Sequence, residues 1–189
     1  MKKIVIIGPE STGKSTLCEE LATHYKTEWV REYAREYLLN NGAEYAFDDL
    51  LKIAKGQIAG EELVEEKLAA GSQQSASKLA ITNCQLLFID TDMHVMKVWY
   101  EYVFKKCHHW ILNRIVERQY DLYLLCNIDL PWIKDELREY PSIGERQKLY
   151  CHYKDIMINQ HVPWMEISGI YEERLQKAIT AIDEKIINY

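Results

Sequence analysis

The chain has 189 residues, 48% hydrophobic and 28% charged, which suits one packed domain and excludes disorder, a fibrous repeat or a coiled coil. Its formal net charge of -6 offers no basic field to a phosphate backbone and argues against nucleic acid as a partner. The five cysteines, Cys18, Cys84, Cys107, Cys126 and Cys151, are odd in number and lack a CxxC pair, which points to reduced thiols rather than a disulfide framework or a zinc site.

Two lysines and an apolar run open the chain, but Gly8 interrupts that run after about four residues, too soon for an export signal. No later stretch keeps about eighteen apolar residues free of charge, so no membrane span is expected and the protein should be cytoplasmic. Lys3 to Ile7 is β-branched and continuously apolar, the pattern of a central parallel strand covered on both faces. A glycine-containing loop follows, and Ser15 to Tyr25 carries Leu17, Leu21 and Ala22 at helical spacing. Glu28 to Val30 reads as a short strand. From Asp49 to Ala70, Leu50, Ile53, Ala54, Ile58 and Leu63 fall on one helical stripe, with Asp48 or Asp49 as its cap. Gly71 to Lys78, rich in Gly, Ser and Gln, reads as a surface loop.

Leu86 to Ile89 predicts a buried strand ending at Asp90, and Met93 to Arg118 is mostly helical in pattern. Leu122 to Cys126 and Val162 to Ile167 are further apolar strands. Tyr171 to Ile187 repeats Leu175, Ala178, Ile179, Ile182 and Ile186 at helical spacing. Strands alternating with helices predict an α/β fold with a parallel sheet, right-handed crossovers and helices on both faces, in a single domain over 1–189.

Gly8-Pro9-Glu10-Ser11-Thr12-Gly13-Lys14-Ser15 fits GxxxxGK[ST] between a predicted strand and a predicted helix, the context a phosphate loop requires. Glycines let such a loop curl until successive N–H groups point at phosphate oxygens, at a helix N-terminus that already favours an anion. Lys14 would reach the β- and γ-phosphates, and Ser15 would offer its hydroxyl to Mg2+, a hard ion that bridges phosphates. Gly8, Glu10, Ser11, Thr12, Gly13, Lys14, Ser15 and Thr16 are thus the candidate ATP-binding residues, and the fold class is a three-layer P-loop NTPase fold.

Asp90 ends an apolar strand, where P-loop proteins supply a second magnesium contact, or it caps the helix that begins near Met93. Asp92 follows two residues on and would face the same side, as a general base or as the cap of the next helix. Glu32 and Arg35 stand after the second strand, at the carboxyl edge where open α/β sheets bind ligands, or on a solvated helical face of alternating charge. Asp135, Arg138, Glu145, Arg146 and Lys148, broken by Pro131, Pro141 and Gly144, predict a small helical lid over about 128–150. Arg138 and Arg146 would neutralise the transferring phosphoryl group, unless this is an ordinary charged surface helix. Cys107-His108-His109 has no ligand spacing for a metal and reads as surface. Trp99, Tyr100, Tyr102 and Trp110 read as core, although a ring near Asp92 could stack on a flat base.

GPESTGKSTL, EYAREY from Glu32, Gln57, FIDTD from Phe88 to Asp92, YDLYLL from Tyr120, PWIKDELR from Pro131 and VPWMEI from Val162 together resemble the kinase domain of the bacterial bifunctional nicotinamide-nucleotide adenylyltransferase and ribosylnicotinamide kinase. The resemblance runs over nearly the whole chain. It implies an AAA-type, ATP-dependent small-molecule kinase that transfers the γ-phosphoryl of ATP to the 5′-hydroxyl of nicotinamide riboside. Tyr33, Arg35 and Gln57, within those motifs, join Asp92 and Trp99 as candidate contacts for the nucleoside, with Lys14, Asp92, Glu32, Arg138 and Arg146 as the catalytic set and Ser15 and Asp90 as the metal ligands. The first strand begins at residue 3, so no adenylyltransferase domain is expected ahead of it. The same residues would serve a kinase for another nucleoside or small alcohol, or a regulatory P-loop ATPase with a protein partner. The sequence is silent on oligomeric state.

Overall fold

Residues Ile4 to Ile7 are wholly buried because their strand, β1 (Lys2–Ile7), is the middle of a five-stranded sheet covered on both faces. The structure, a computed structural model, describes residues 1–74 and 85–187. The other strands are β2 (Trp29–Val30), β3 (Leu86–Asp90), β4 (Leu122–Cys126) and β5 (Trp164–Ile167), in the order β2-β3-β1-β4-β5. Every pairing is parallel, as the alternation of strands and helices predicts. The register sets Ile6 beside Asp90, Ile7 beside Leu125 and Cys126 beside Ile167, so the carboxyl ends of the strands form one edge.

Alternate residues of β1 face opposite layers. Ile4 and Ile6 join Phe88, Leu124, Leu17, Leu21, Ala178 and Ile182, under α1 (Lys14–Tyr25) and the last long helix, Tyr171–Ile182. Val5 and Ile7 join Leu87, Ile89, Tyr123 and Leu125 on the other face, beneath the helices Met93–Phe104 and Ile143–Asn159. A third cluster packs α2 (Tyr33–Asn41), α3 (Phe47–Gln74), α4 (Met93–Phe104) and α5 (His109–Glu117) around Leu50, Ile53, Met96, Tyr100 and Ile111. The two remaining helices are α6 (Ile143–Asn159) and α7 (Tyr171–Ile182). Among the described residues no helix is long and apolar enough to cross a membrane.

Several elements differ from expectation. The helix over Met93 to Arg118 breaks after Phe104, where Lys105 takes a left-handed φ of 58° and closes α4 with its N–H on the Glu101 carbonyl. The chain then turns so that Ile111 of α5 shares the cluster of Met96 and Tyr100. Leu63 is 67% exposed: at 3.6 residues per turn the buried stripe of α3 runs from Ile58 through Glu61 to Val64 and Leu68. That helix begins at Phe47, so neither aspartate is its N-cap; Asp49, in the first turn, accepts the Ala46 N–H at 2.9 Å. The loop expected over Gly71 to Lys78 is helical to Gln74, and its remainder, 75–78, lies outside the described residues. Of the segment expected as a helical lid, residues 128–142 carry no regular structure and only the part from Ile143 is helix. Pro131 and Pro141 remove donors that a helix there would need. The last helix ends at Ile182 and continues as a π-helical turn, Asp183–Ile187.

Candidate active site

The phosphate loop leaves β1 at Gly8, whose φ of 141° and close approach to the Cys126 carbonyl exclude a side chain: a Cβ there would lie 2.8 Å from that oxygen. The loop is braced from within. Thr12 Oγ1 donates to the Pro9 carbonyl at 2.7 Å and Lys14 Nζ donates to the same oxygen at 3.0 Å. No side chain caps α1, so the amides at its start are free to meet an anion.

Ser15 Oγ donates to Asp90 Oδ2 at 2.5 Å, which brings together the two residues expected at a metal. Asp90 is wholly buried and its other oxygen, Oδ1, has no hydrogen-bond partner. Burial pushes its carboxyl up to about 6 and the nearby Glu32 carboxylate adds to this, against the opposing pull of Lys14 and the Ser15 hydroxyl. An orphaned buried oxygen beside a serine hydroxyl fits a hard divalent cation that takes oxygen ligands, so Ser15 and Asp90 could hold one.

A cleft of about 290 Å³ opens over residues 8–16 of the loop. Glu32, Arg35, Trp99, Tyr102, Tyr153 and Arg138 are among its walls. Glu32 occupies the N-cap position of α2 yet makes no cap bond; Thr91 Oγ1 donates to it at 3.4 Å, from a residue with φ of 78°. Glu32 lines the cleft, and its charge is close enough to Asp90 to raise that carboxyl.

Asp92 has gone the other way. It is buried, Oδ1 accepts the His94 and Val95 N–H groups as the cap of α4, and Oδ2 meets His94 Nδ1 at 2.7 Å and the Tyr123 hydroxyl at 2.9 Å. Burial alone would raise this carboxyl, but the His94 ring, the Tyr123 hydroxyl and the helix amides hold it below its ordinary value. It does not line the cleft, because the capping role claims the oxygens that a base would need.

Gln57 and Tyr33 are likewise structural in place. Gln57 Nε2 donates to the Asp90 carbonyl at 3.1 Å and its Oε1 accepts the Tyr33 N–H at 2.8 Å, so the amide clamps β3 to the start of α2. The Tyr33 ring lies against α3 at Gly56, where an added Cβ would come within 2.1 Å of it. Arg35 lines the cleft and pairs with Asp135 at 2.9 Å. Trp99 also lines it, and its Nε1 donates to the Tyr45 hydroxyl at 2.8 Å, which donates to Glu139 at 2.9 Å.

The segment 128–142 lies across the phosphate loop and is fastened to it. Glu10 accepts the Tyr140 N–H at 2.5 Å, the Glu139 N–H at 3.0 Å and the Trp132 indole N–H at 3.4 Å. Ser11 Oγ accepts from the Ile133 N–H at 3.0 Å and Arg138 Nη1 at 3.3 Å. Arg146 is buried and donates to the carbonyls of Ser11 and Leu130, each at 3.3 Å, while its Nε has no partner and burial holds its guanidinium below the ordinary value. Arg138 and Arg146 therefore both reach the phosphate loop at Ser11. Glu10 and Ser11 turn their side chains to residues 132–140, which their place in the loop motif did not reveal.

Sequence reasoning missed Tyr45 and Glu139, which steady Trp99, and Tyr153, which walls the cleft from α6. It also missed Arg174, whose guanidinium donates to the Thr12 carbonyl of the loop at 2.8 Å.

The model of the AAA domain family matches residues 3–174. The trifunctional NAD biosynthesis/regulator protein NadR of Escherichia coli (strain K12) is 23% identical over 185 residues, which are 97% of this chain and 42% of that protein. NadR of Salmonella typhimurium (strain LT2) matches with the same identity and coverage. Among solved structures, NadR in complex with NR superposes with a TM-score of 0.69 at 21% identity, over 97% of this chain and 50% of its own. NadR in complex with NAD and AMP-PNP gives 0.68 at 22% identity, over 97% of this chain and 49% of its own. Deoxyadenosine kinase from M. mycoides with bound dATP gives 0.55 at 14% identity, over 97% of this chain and 100% of its own. The chain spans half or less of the NadR proteins it matches, and the likeness to the solved structures is one of fold.

Proposed function

Because the chain belongs to the AAA domain family, we propose that its phosphate loop binds ATP and that the protein is a nicotinamide riboside kinase, giving ADP and nicotinamide mononucleotide. The observation that carries this reading is one cleft lined by the phosphate loop and a cap-free glutamate, with a buried aspartate, one oxygen orphaned, held directly behind it on Ser15. The NadR relatives, one solved with NR and one with AMP-PNP, support the choice of nucleoside and nucleotide. The aromatic rings of Trp99, Tyr102 and Tyr153 in the cleft wall suit a flat heterocycle beside the loop.

In this mechanism Lys14 and the loop amides hold the triphosphate, and Lys14 exchanges its bond to the Pro9 carbonyl for phosphate oxygens. Ser15 and Asp90 would hold Mg2+, which when bound neutralises charge on the β- and γ-oxygens. Glu32 lies at the acceptor side and takes the proton of the 5′-hydroxyl as that oxygen bonds to the γ-phosphorus and the bond to the ADP oxygen breaks. Glu32 is preferred over Asp92 for this step because its oxygens are open to the cleft. Arg138, which lines the cleft, spreads positive charge over the transferring group, and Arg146 adds its charge from behind the loop, where it is buried on the Ser11 and Leu130 carbonyls. Residues 128–142 act as the lid that keeps bulk water from competing with the hydroxyl. The protein works on a small nucleoside in the cytoplasm, with neither nucleic acid nor membrane as partner.

The test is turnover of ATP and Mg2+ with a panel of nucleosides, read as ADP release and as product mass. Nicotinamide riboside should be the preferred acceptor. Preference for a deoxynucleoside would replace the substrate, and slow hydrolysis indifferent to every acceptor would favour a regulatory ATPase.

A further inference from the structure

Arg174 is 2% exposed and sits in the first turn of α7, where a helix favours acids over cations. Its guanidinium gathers four acceptors: the carbonyls of Thr12 at 2.8 Å, Gly169 at 2.8 Å and Asn127 at 2.9 Å, and the Asp129 carboxylate. Asp129 in turn accepts the Gly169 N–H at 2.6 Å. One side chain thus joins the segments after β4 and β5 to the phosphate loop. Of these acceptors, Thr12 alone belongs to the loop that meets the ligand.

A trans peptide is planar, with its C=O and N–H pointing in opposite directions. Fixing the Thr12 carbonyl on Arg174 therefore aims the Gly13 N–H the other way, away from Arg174. The backbone there alternates in the manner of an anion-binding nest, with Ser11 at φ 57° and Gly13 at φ 77°. Thr12 cannot hold this plane itself, since its hydroxyl is engaged by the Pro9 carbonyl at 2.7 Å. We propose that Arg174 is a positioning residue of the phosphate loop, locking the Thr12–Gly13 peptide so that the Gly13 N–H faces phosphate. This rests on the reading that the loop binds a nucleoside triphosphate.

The experiment compares wild type, R174K, R174Q and D129A by calorimetry with ATP and with inorganic tripolyphosphate, both with Mg2+, and by turnover. A lysine keeps a cation beside Asp129 but cannot fork to three carbonyls, so both ligands should bind R174K about tenfold more weakly, the worth of one charge-assisted hydrogen bond. KM for ATP should rise by a similar factor while KM for the nucleoside acceptor stays within about twofold. D129A should melt at a lower temperature yet hold tripolyphosphate within about twofold of wild type, since the Arg174–Thr12 bond is retained. Loss of binding in D129A equal to that in R174K would make the effect general destabilisation and overturn the proposal. Titration of wild type followed by the Gly13 amide resonance tests it without substitution: the resonance should shift on adding tripolyphosphate, and an unmoved one overturns the assignment. Wild type that binds neither ligand would sink the phosphate-loop reading itself; wild type that binds both, with R174K and R174Q binding as tightly, would sink the role of Arg174 alone.

Discussion

Each end of the sheet buries a carboxylate that loss of water pushes upward, and the two are treated in opposite ways. At the amino end, Glu61 of α3 is 1% exposed, and burial raises its carboxyl against the pull of Arg118 and Lys3. Both its oxygens are met: Arg118 at 2.7 Å and Lys3 at 3.3 Å on one, the Tyr120 hydroxyl at 3.1 Å on the other. At the carboxyl end, Asp90 has a serine hydroxyl on one oxygen and nothing on the other. A buried carboxylate oxygen without a partner is costly, which makes it a candidate for completion by a ligand. Of the two carboxylates, the one at the amino end has partners on both oxygens and the one at the carboxyl end keeps an oxygen open, and this contrast, beside the loop motif, is what makes Asp90 the candidate for a ligand.

The contrast breaks if substitutions at the two ends have similar effects. The largest expected effect is that of Lys14→Ala, which should lower turnover by about a thousandfold, about 4 kcal/mol of transition-state stabilisation, with a melting temperature within about 2 °C of wild type. Next comes Glu61→Ala, which strands the Arg118 and Lys3 cations from their central partner. It should cost about 3 kcal/mol in urea unfolding while turnover per folded molecule stays normal. A smaller effect, of opposite sign in stability, is expected of Asp90→Asn. Asp90 has a folded pKa of about 6 against an ordinary 3.8, so its contribution to stability is present below 3.8 and is lost as pH rises through about 6. At neutral pH the variant should therefore be more stable than wild type by on the order of 1–2 kcal/mol, the gap closing as the buffer is acidified, while Mg2+-dependent turnover disappears. A less stable Asp90→Asn at neutral pH would mean that the carboxylate is not strained after all.

These residues differ in how far sequence alone exposes them. The phosphate loop and the apolar strand ending in Asp90 are local strings whose physics is complete within about a dozen residues, and both the loop and the acid could be placed from order and spacing. The parallel sheet follows from alternation of strand and helix. Glu61 was hidden because it continues a hydrophobic stripe, and a period cannot tell that a position of α3 is buried against cations from β1 and the segment before β4. The break at Lys105 escaped notice because left-handed caps are signalled by glycine or asparagine, and lysine gives no such sign. Tyr45, between α2 and α3, Tyr153 of α6 and Arg174 of α7 are far apart in the chain, and only tertiary packing brings them to Trp99, the cleft and the loop. Asp92 was ambiguous for a different reason: the same carboxylate at the same spacing serves as cap or as base, and the choice lies with His94 and Tyr123.

That choice yields the smallest effect and the finest form of the comparison, since Asp90 and Asp92 stand two residues apart on one strand end. Burial opposes charge on His94, but Asp92 prevails and raises the ring above its ordinary 6.5, with Lys97 as the opposing cation. For a raised histidine the sign is fixed: the stabilisation is full below 6.5 and is lost as pH climbs through the folded value. Thermal unfolding of wild type and His94→Phe should therefore differ most in mildly acidic buffer, by about 3 °C, and converge as the buffer becomes alkaline. A difference that holds constant with pH would leave only packing between the ring and Tyr123, whose centroids lie 5.6 Å apart. Turnover is the second readout: with Asp92 held outside the cleft, His94→Phe should change kcat by less than about threefold, and a larger fall that tracks the loss of the ion pair would return Asp92 to the reacting centre in place of Glu32.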